Sequence, residues 1–166
     1  MLRKTLAVAL LVLPAAAFAQ TAVTAPAPAA TTRYVDAIHW PTQEAGMDRF
    51  FGAEVKLAAG FDKVCGDTFC EGEYANLHPM ELRCSVDTTK GTVKQCLWSF
   101  SGSSSSVNKK TGAVSTMAKV FKCKLMLAKD TPVDAFYEVM DGEDPLNAKL
   151  PMGRHSVYDS LNNCLY

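Results

Sequence analysis

Met80-Glu-Leu-Arg-Cys-Ser-Val86 and Lys94-Gln-Cys-Leu-Trp-Ser-Phe100 alternate apolar with polar residues, and Lys119-Val-Phe-Lys-Cys-Lys-Leu125 does so less cleanly. Period-two alternation marks strands with one buried face. Two similar turns separate them, Val86-Asp-Thr-Thr-Lys-Gly-Thr-Val93 and Val107-Asn-Lys-Lys-Thr-Gly-Ala-Val114. In each, the glycine supplies the left-handed residue that follows a type I turn in a short hairpin loop. Two hairpins in series predict a three-stranded antiparallel meander from Pro79 to Leu127.

Register follows from the faces. A loop of Thr89, Lys90 and Gly91 sets Val86 opposite Lys94, Cys84 opposite Cys96 and Leu82 opposite Trp98. A loop from Lys109 to Gly112 sets Phe100 opposite Phe121, Trp98 opposite Cys123 and Cys96 opposite Leu125. One face then collects the apolar and cysteine side chains. The other collects Arg83, Ser85, Gln95, Ser99, Lys122 and Lys124, with Leu97 as a misfit. Ser101-Gly-Ser-Ser-Ser-Ser106 reads as an extended, exposed end of the second hairpin or as a disordered loop.

Helices flank the meander. Thr42 to Ala59 is expected to be helical, capped by Thr42 and ended by Gly60, with Met47, Phe50, Phe51, Val55 and Ala58 as its apolar stripe. Thr131 to Asp141 is a second helix. Thr131 is its cap, Pro132 its first residue and Asp134 a capping-box partner, and Val133, Phe136, Tyr137 and Met140 lie on one side. Val157 to Leu165 is a third, capped by Ser156 with Asp159 three residues on, its inner face Val157, Leu161, Cys164 and Leu165. The order helix-β-β-β-helix-helix implies a small α+β domain with helices packed on one sheet face and the other face polar and open.

The flanking segments set compartment and boundaries. Residues 1–19 read as a secretory signal peptide of bacterial kind: Arg3 and Lys4, an apolar run from Thr5 to Val12, and the cleavage pattern Ala17-Phe18-Ala19. The apolar run is too short for a membrane span, and no cysteine follows the cleavage point to carry a lipid. Residues 20–32, almost all Ala, Thr and Pro, read as a disordered linker. Residues 33–166 form one domain. Localisation is therefore expected to be periplasmic or secreted, with no membrane span once the signal is removed.

Six cysteines, all beyond the leader, predict three disulfides in an oxidising compartment. Zinc would want close Cys pairs with tetrahedral partners, and Cys65 and Cys70 form the one close pair. The pairing expected is Cys65–Cys70 around a short loop, Cys84–Cys96 between facing strand positions, and Cys123–Cys164 tying the last helix to the third strand.

Loss of Arg3 and Lys4 with the leader leaves 15 basic against 17 acidic residues. That balance implies no basic stripe, which argues against nucleic acid or an anionic membrane as partner. Asp67, Glu71, Glu73, Tyr74 and His78, in and just after the Cys65–Cys70 loop, are the candidate binding residues. The carboxylates offer calcium ligands, a paired general acid and base, or a charged surface for a protein partner. As structure alone they are a solvated turn. No catalytic motif, cofactor motif or ligand-type histidine spacing occurs, so no cofactor is expected. Three readings of function remain: an exported binding or inhibitory protein, a small carboxylate-dependent hydrolase of the cell envelope, or a structural component of an envelope assembly. The partner expected for the first is another exported or envelope protein.

Overall fold

The structure, a computed structural model, describes residues 33–166; the expected signal peptide and linker lie outside the described residues. Its centre is the meander: β2 (His78–Asp87), β3 (Thr92–Val107) and β4 (Val114–Lys124), all antiparallel. Two short strands extend it. β1 (Tyr34–Asp36) pairs with β2, and β5 (Thr131–Pro132) pairs with the start of β3.

Most of the expected register holds: Leu82 faces Trp98, Cys84 faces Cys96, Trp98 faces Cys123 and Phe100 faces Phe121. Gly91 and Gly112 take φ of +62° and +71°, the left-handed turn positions. The first loop differs. Val86 faces Val93 rather than Lys94, because the register slips between Ser85 and Val86. In the turn beside the slip, Asp87 accepts hydrogen bonds from the Thr89 N–H at 3.0 Å and the Thr89 hydroxyl at 2.6 Å. The slip puts both valines in the core and leaves Lys94 exposed. The serine run is strand: Ser101 to Val107 pair residue by residue with Val120 to Val114.

The helix α1 starts where expected, with Thr42 Oγ1 accepting from the Ala45 N–H, but it runs Gln43–Cys65. Gly60 does not end it. That residue passes against Leu146, whose Cβ would lie 3.1 Å from an added methyl group. The buried face is also different: Gly46, Phe50, Ala53, Leu57, Phe61 and Cys65 face inward, while Met47, Phe51 and Val55 are exposed. Close approach decides the rotation, since a Cβ on Gly46 would fall 2.6 Å from the Ile38 carbonyl oxygen.

Helix α2 (Val133–Asp141) is shorter than expected. Thr131 belongs to β5, and its hydroxyl donates to the Ala128 carbonyl at 2.7 Å instead of capping the helix. Asp134 pairs with Arg49 of α1 at 3.2 Å. The inner face of Val133, Phe136, Tyr137 and Met140 is buried as expected. Helix α3 (Val157–Leu165) carries the full capping box: Ser156 Oγ accepts from the Asp159 N–H, and the Asp159 carboxylate accepts from the Ser156 N–H.

The core lies between the helices and the apolar sheet face. Phe61 of α1 meets Phe100 and Trp98 of β3 at ring separations of 4.8 and 6.1 Å. The disulfides pair as expected, Cys65–Cys70, Cys84–Cys96 and Cys123–Cys164, with Cα separations of 5.0, 4.1 and 5.4 Å. The chain is thus a small disulfide-stabilised α+β domain. On the opposite sheet face Leu97, the misfit, is half-buried in a shallow groove with Tyr34 and Arg83.

Candidate functional site

The segment after α1 is held from three sides. Cys65–Cys70 closes its first turn, and the Cys70 N–H donates to the Cys65 carbonyl at 2.8 Å. Phe69, buried, stacks on Phe61 with ring centres 5.7 Å apart. Further on, Asn76 clamps β3: its Oδ1 accepts from the Ser103 N–H and its Nδ2 donates to Ser103 Oγ, both at 2.7 Å. Leu77 and Tyr74 rest on Gly102, where an added Cβ would come to 2.9 and 3.0 Å of their side chains. Glycine at 102 is what lets this segment lie directly on the strand, at the place where β2 pairing ends with His78 opposite Ser101.

The five sequence-predicted site residues divide here. Asp67, Glu71, Glu73 and His78 are exposed, and the three carboxylates make no hydrogen bond or ion pair with another described residue. Tyr74 is half-buried, edge-on to Phe121 of β4 at 5.4 Å. Glu73 and Tyr74 line a cavity of about 280 Å³ together with Phe69, Lys119, Phe121 and Tyr166. Asp67, Glu71 and His78 do not reach it. Among the described residues no group of three or more His, Cys, Asp or Glu side chains is arranged to hold a metal ion.

Sequence reasoning missed the other half of this surface. From Thr88 to Lys129 the chain has eight lysines and no aspartate or glutamate. The near-even total charge conceals this run, whose lysines are spread over the tip, both faces and the base of the β3–β4 hairpin. Lys109 and Lys110 sit in the tip turn, and Lys122 and Lys124 stand opposite Ser99 and Leu97 on the polar sheet face. Lys119 holds its ammonium 4.3 Å from the Phe121 ring centre and 5.6 Å from that of Tyr74. Such placement is favourable electrostatically and keeps the charge at the cavity rim. At the base, Lys90, Lys94, Lys124 and Lys129 border a cleft with Arg33 and Asp130. Of the eight, Lys90 alone has an ion-pair partner among the described residues, Asp130 at 2.9 Å, and that contact raises the lysine pKa and lowers the aspartate's. The signal lies in the sequence as a forty-residue window without acids; only its clustering on one hairpin needs the fold.

Fold and surface together define a compact disulfide-bonded α+β domain that presents a lysine-rich hairpin beside an aromatic cavity. Compared with protein-family models, curated proteins and solved structures, the chain matches none.

Proposed function

We propose that the chain is an exported binding or inhibitory protein that engages an acidic surface of another exported or envelope protein through the β3–β4 hairpin. The carrying observation is the hairpin itself. Beyond Ser101 no other described strand pairs with either of its two strands, and residues 105–120 are all exposed. At about 3.4 Å per residue the paired stretch from Ser101 to Val107 extends roughly 20 Å. A hydrogen-bonded hairpin carrying unpaired cations raises the rate of encounter with an acidic partner. Export is supported by the leader pattern of residues 1–19 and by three disulfides with no free cysteine among the described residues. No helix of the described residues is long and apolar enough to cross a membrane.

The hydrolase reading draws less support. It needs two carboxylates facing one substrate site, and of Asp67, Glu71 and Glu73 the last alone lines the cavity beside Tyr74. Affinity capture from periplasmic or secreted extract tests the proposal. A single protein retained at low salt, released by about 0.5 M salt and lost with the triple change Lys119→Glu, Lys122→Glu, Lys124→Glu supports it. Equal retention by wild type and triple variant overturns it. A set of envelope components retained by both favours the structural-component reading.

A further inference from the structure

Strand β4 is an edge strand among the described residues, since the sheet order is β1-β2-β3-β4 and no described strand follows it. Its peptide groups can be assigned to sides. The Leu125 N–H donates to the Cys96 carbonyl, and at the tip the Asn108 N–H donates to the Ala113 carbonyl. The β3–β4 register between these points runs without a slip. In an antiparallel ladder hydrogen-bonded and non-hydrogen-bonded pairs alternate. Met117, Lys119, Phe121 and Cys123 therefore turn their N–H and C=O toward β3. Val114, Thr116, Ala118, Val120, Lys122 and Lys124 turn theirs outward, where no described strand pairs with them.

A long, regular, unpaired edge is a template for another strand. On this one the side chains state what kind. Residues of an added strand that lie opposite Lys119 and Phe121 share their face of the sheet, beside the cavity of Phe69, Tyr74 and Tyr166. Residues opposite Lys122 and Lys124 point to the polar face, beside two cations that lack an ion-pair partner among the described residues. We infer that β4 receives an extended segment of the partner protein in which bulky apolar and acidic residues alternate, the apolar ones at the aromatic cavity and the acidic ones over Lys122 and Lys124.

A second copy of this chain fits poorly as the occupant. Antiparallel pairing of two β4 strands would gather six lysines, three from each copy, along one seam, and lysines on an edge are a device against that pairing. An acidic strand turns the same lysines into attractive neighbours.

The inference rests on the binding reading above, and its test separates the two. Nine-residue peptides displayed on phage are selected on the disulfide-bonded protein, and an enriched peptide becomes the probe. Enriched sequences are expected to alternate apolar with acidic residues. Hydrogen exchange is expected to slow on peptide addition at the amides of Thr116, Ala118, Val120 and Lys122. Val120→Pro is expected to weaken the peptide at least about tenfold. Its lost N–H faces outward, and proline is tolerated on such an edge, so melting should change little. Should that variant fail to fold, the exchange pattern of wild type decides alone. Binding lost with Lys122→Glu and Lys124→Glu but retained by folded Val120→Pro, or exchange unchanged at the outward amides, overturns strand addition and leaves the binding reading standing. Slowing of those amides with protein concentration, without peptide, assigns the edge to a second copy and overturns the inference. Absence of any enriched peptide overturns it as well, while capture of a folded partner by the hairpin would still sustain the binding reading.

Discussion

The Glu54 carboxylate of α1 accepts the backbone N–H of Leu82 at 2.7 Å, at the point where the β2–β3 register is irregular between Pro79 and Leu82. This strand N–H faces away from β3, beyond the stretch of β2 that β1 pairs, and the helix packed above it satisfies it, which ties α1 to the sheet by more than apolar contact. Glu54→Ala is expected to cost about 1–3 kcal/mol, the range for leaving such a donor without its partner. Glu54→Gln keeps an acceptor and should cost less. Urea unfolding of the two variants measures the difference, and equal stabilities would mean that the Leu82 N–H does not depend on this contact.

Two glycines of one helix should respond to alanine with opposite signs. At Gly46 the new methyl group would meet backbone atoms of Ile38 at 2.6 Å and Trp40 at 2.7 Å, which cannot move aside as a flexible side chain can. Gly46→Ala is therefore expected to destabilise by about 1–3 kcal/mol, in the range of overpacking. At Gly52 nothing lies within 4 Å of an added Cβ. Gly52→Ala should stabilise by about 0.5–1 kcal/mol through helix propensity. Thermal melts of both variants, run side by side, check the contrast.

Tyr137 buries its hydroxyl with no hydrogen-bond partner among the described residues, and its ring lies under the Arg49 guanidinium at 4.3 Å. Burial, partly offset by Arg49, pushes its pKa up to about 12. Tyr137→Phe removes an unsatisfied polar group, so stability at neutral pH should be unchanged or higher by up to about 1 kcal/mol. The raised pKa fixes the sign at high pH. In wild type the stability present below the ordinary tyrosine pKa of 10.0 is lost as pH rises toward about 12, because the unfolded chain ionises first. Stability curves of the phenylalanine variant should lack that share of the alkaline decline.

Asp87 governs the acid limb. The Thr89 hydroxyl and the Arg33 guanidinium, at 2.6 and 2.9 Å, hold its pKa at about 2 against an ordinary 3.8. A carboxylate with a depressed folded pKa contributes stability that is fully present above its unfolded pKa and disappears as pH falls through the folded value. The contribution should accordingly fade between about pH 4 and pH 2. Asp87→Asn is expected to be less stable than wild type at pH 6 and to converge with it toward pH 2. Parallel curves across that window would mean that Asp87 is not protonated differentially on unfolding. The same residue sits in the turn beside the slip in the first hairpin, so Asp87→Asn also tests whether the slip at Val86 survives a weaker acceptor.

Local periodicity makes most of the fold legible in the amino-acid sequence. The alternation of Met80 to Leu125, with a turn glycine between each pair of runs, determines the meander, the buried face and the pairing of Cys84 with Cys96, because a strand's side chains alternate whatever surrounds them. Ser156 and Asp159 mark the start of α3 for the same reason, since a capping box is closed within four residues. The face of α1 is a different matter. An apolar stripe through Met47, Phe51 and Val55 is as periodic as one through Ala53, Leu57 and Phe61, and tertiary contacts choose between them: Gly46 against Ile38, and Phe61 against Phe100 and Trp98. Thr131 likewise has the sequence context of a cap, and its pairing in β5 overrides it. At the candidate site the sequence marks the loop carrying Glu73 and Tyr74. It could not bring Tyr74 to Phe121, or Asn76 to Ser103, because those contacts join residues 47 and 27 positions apart. The eight lysines are countable in the sequence. That six of them stand on one hairpin, with Lys90 and Lys129 at its base, was decided by tertiary structure, since β2 stops at His78 while β3 and β4 run on together.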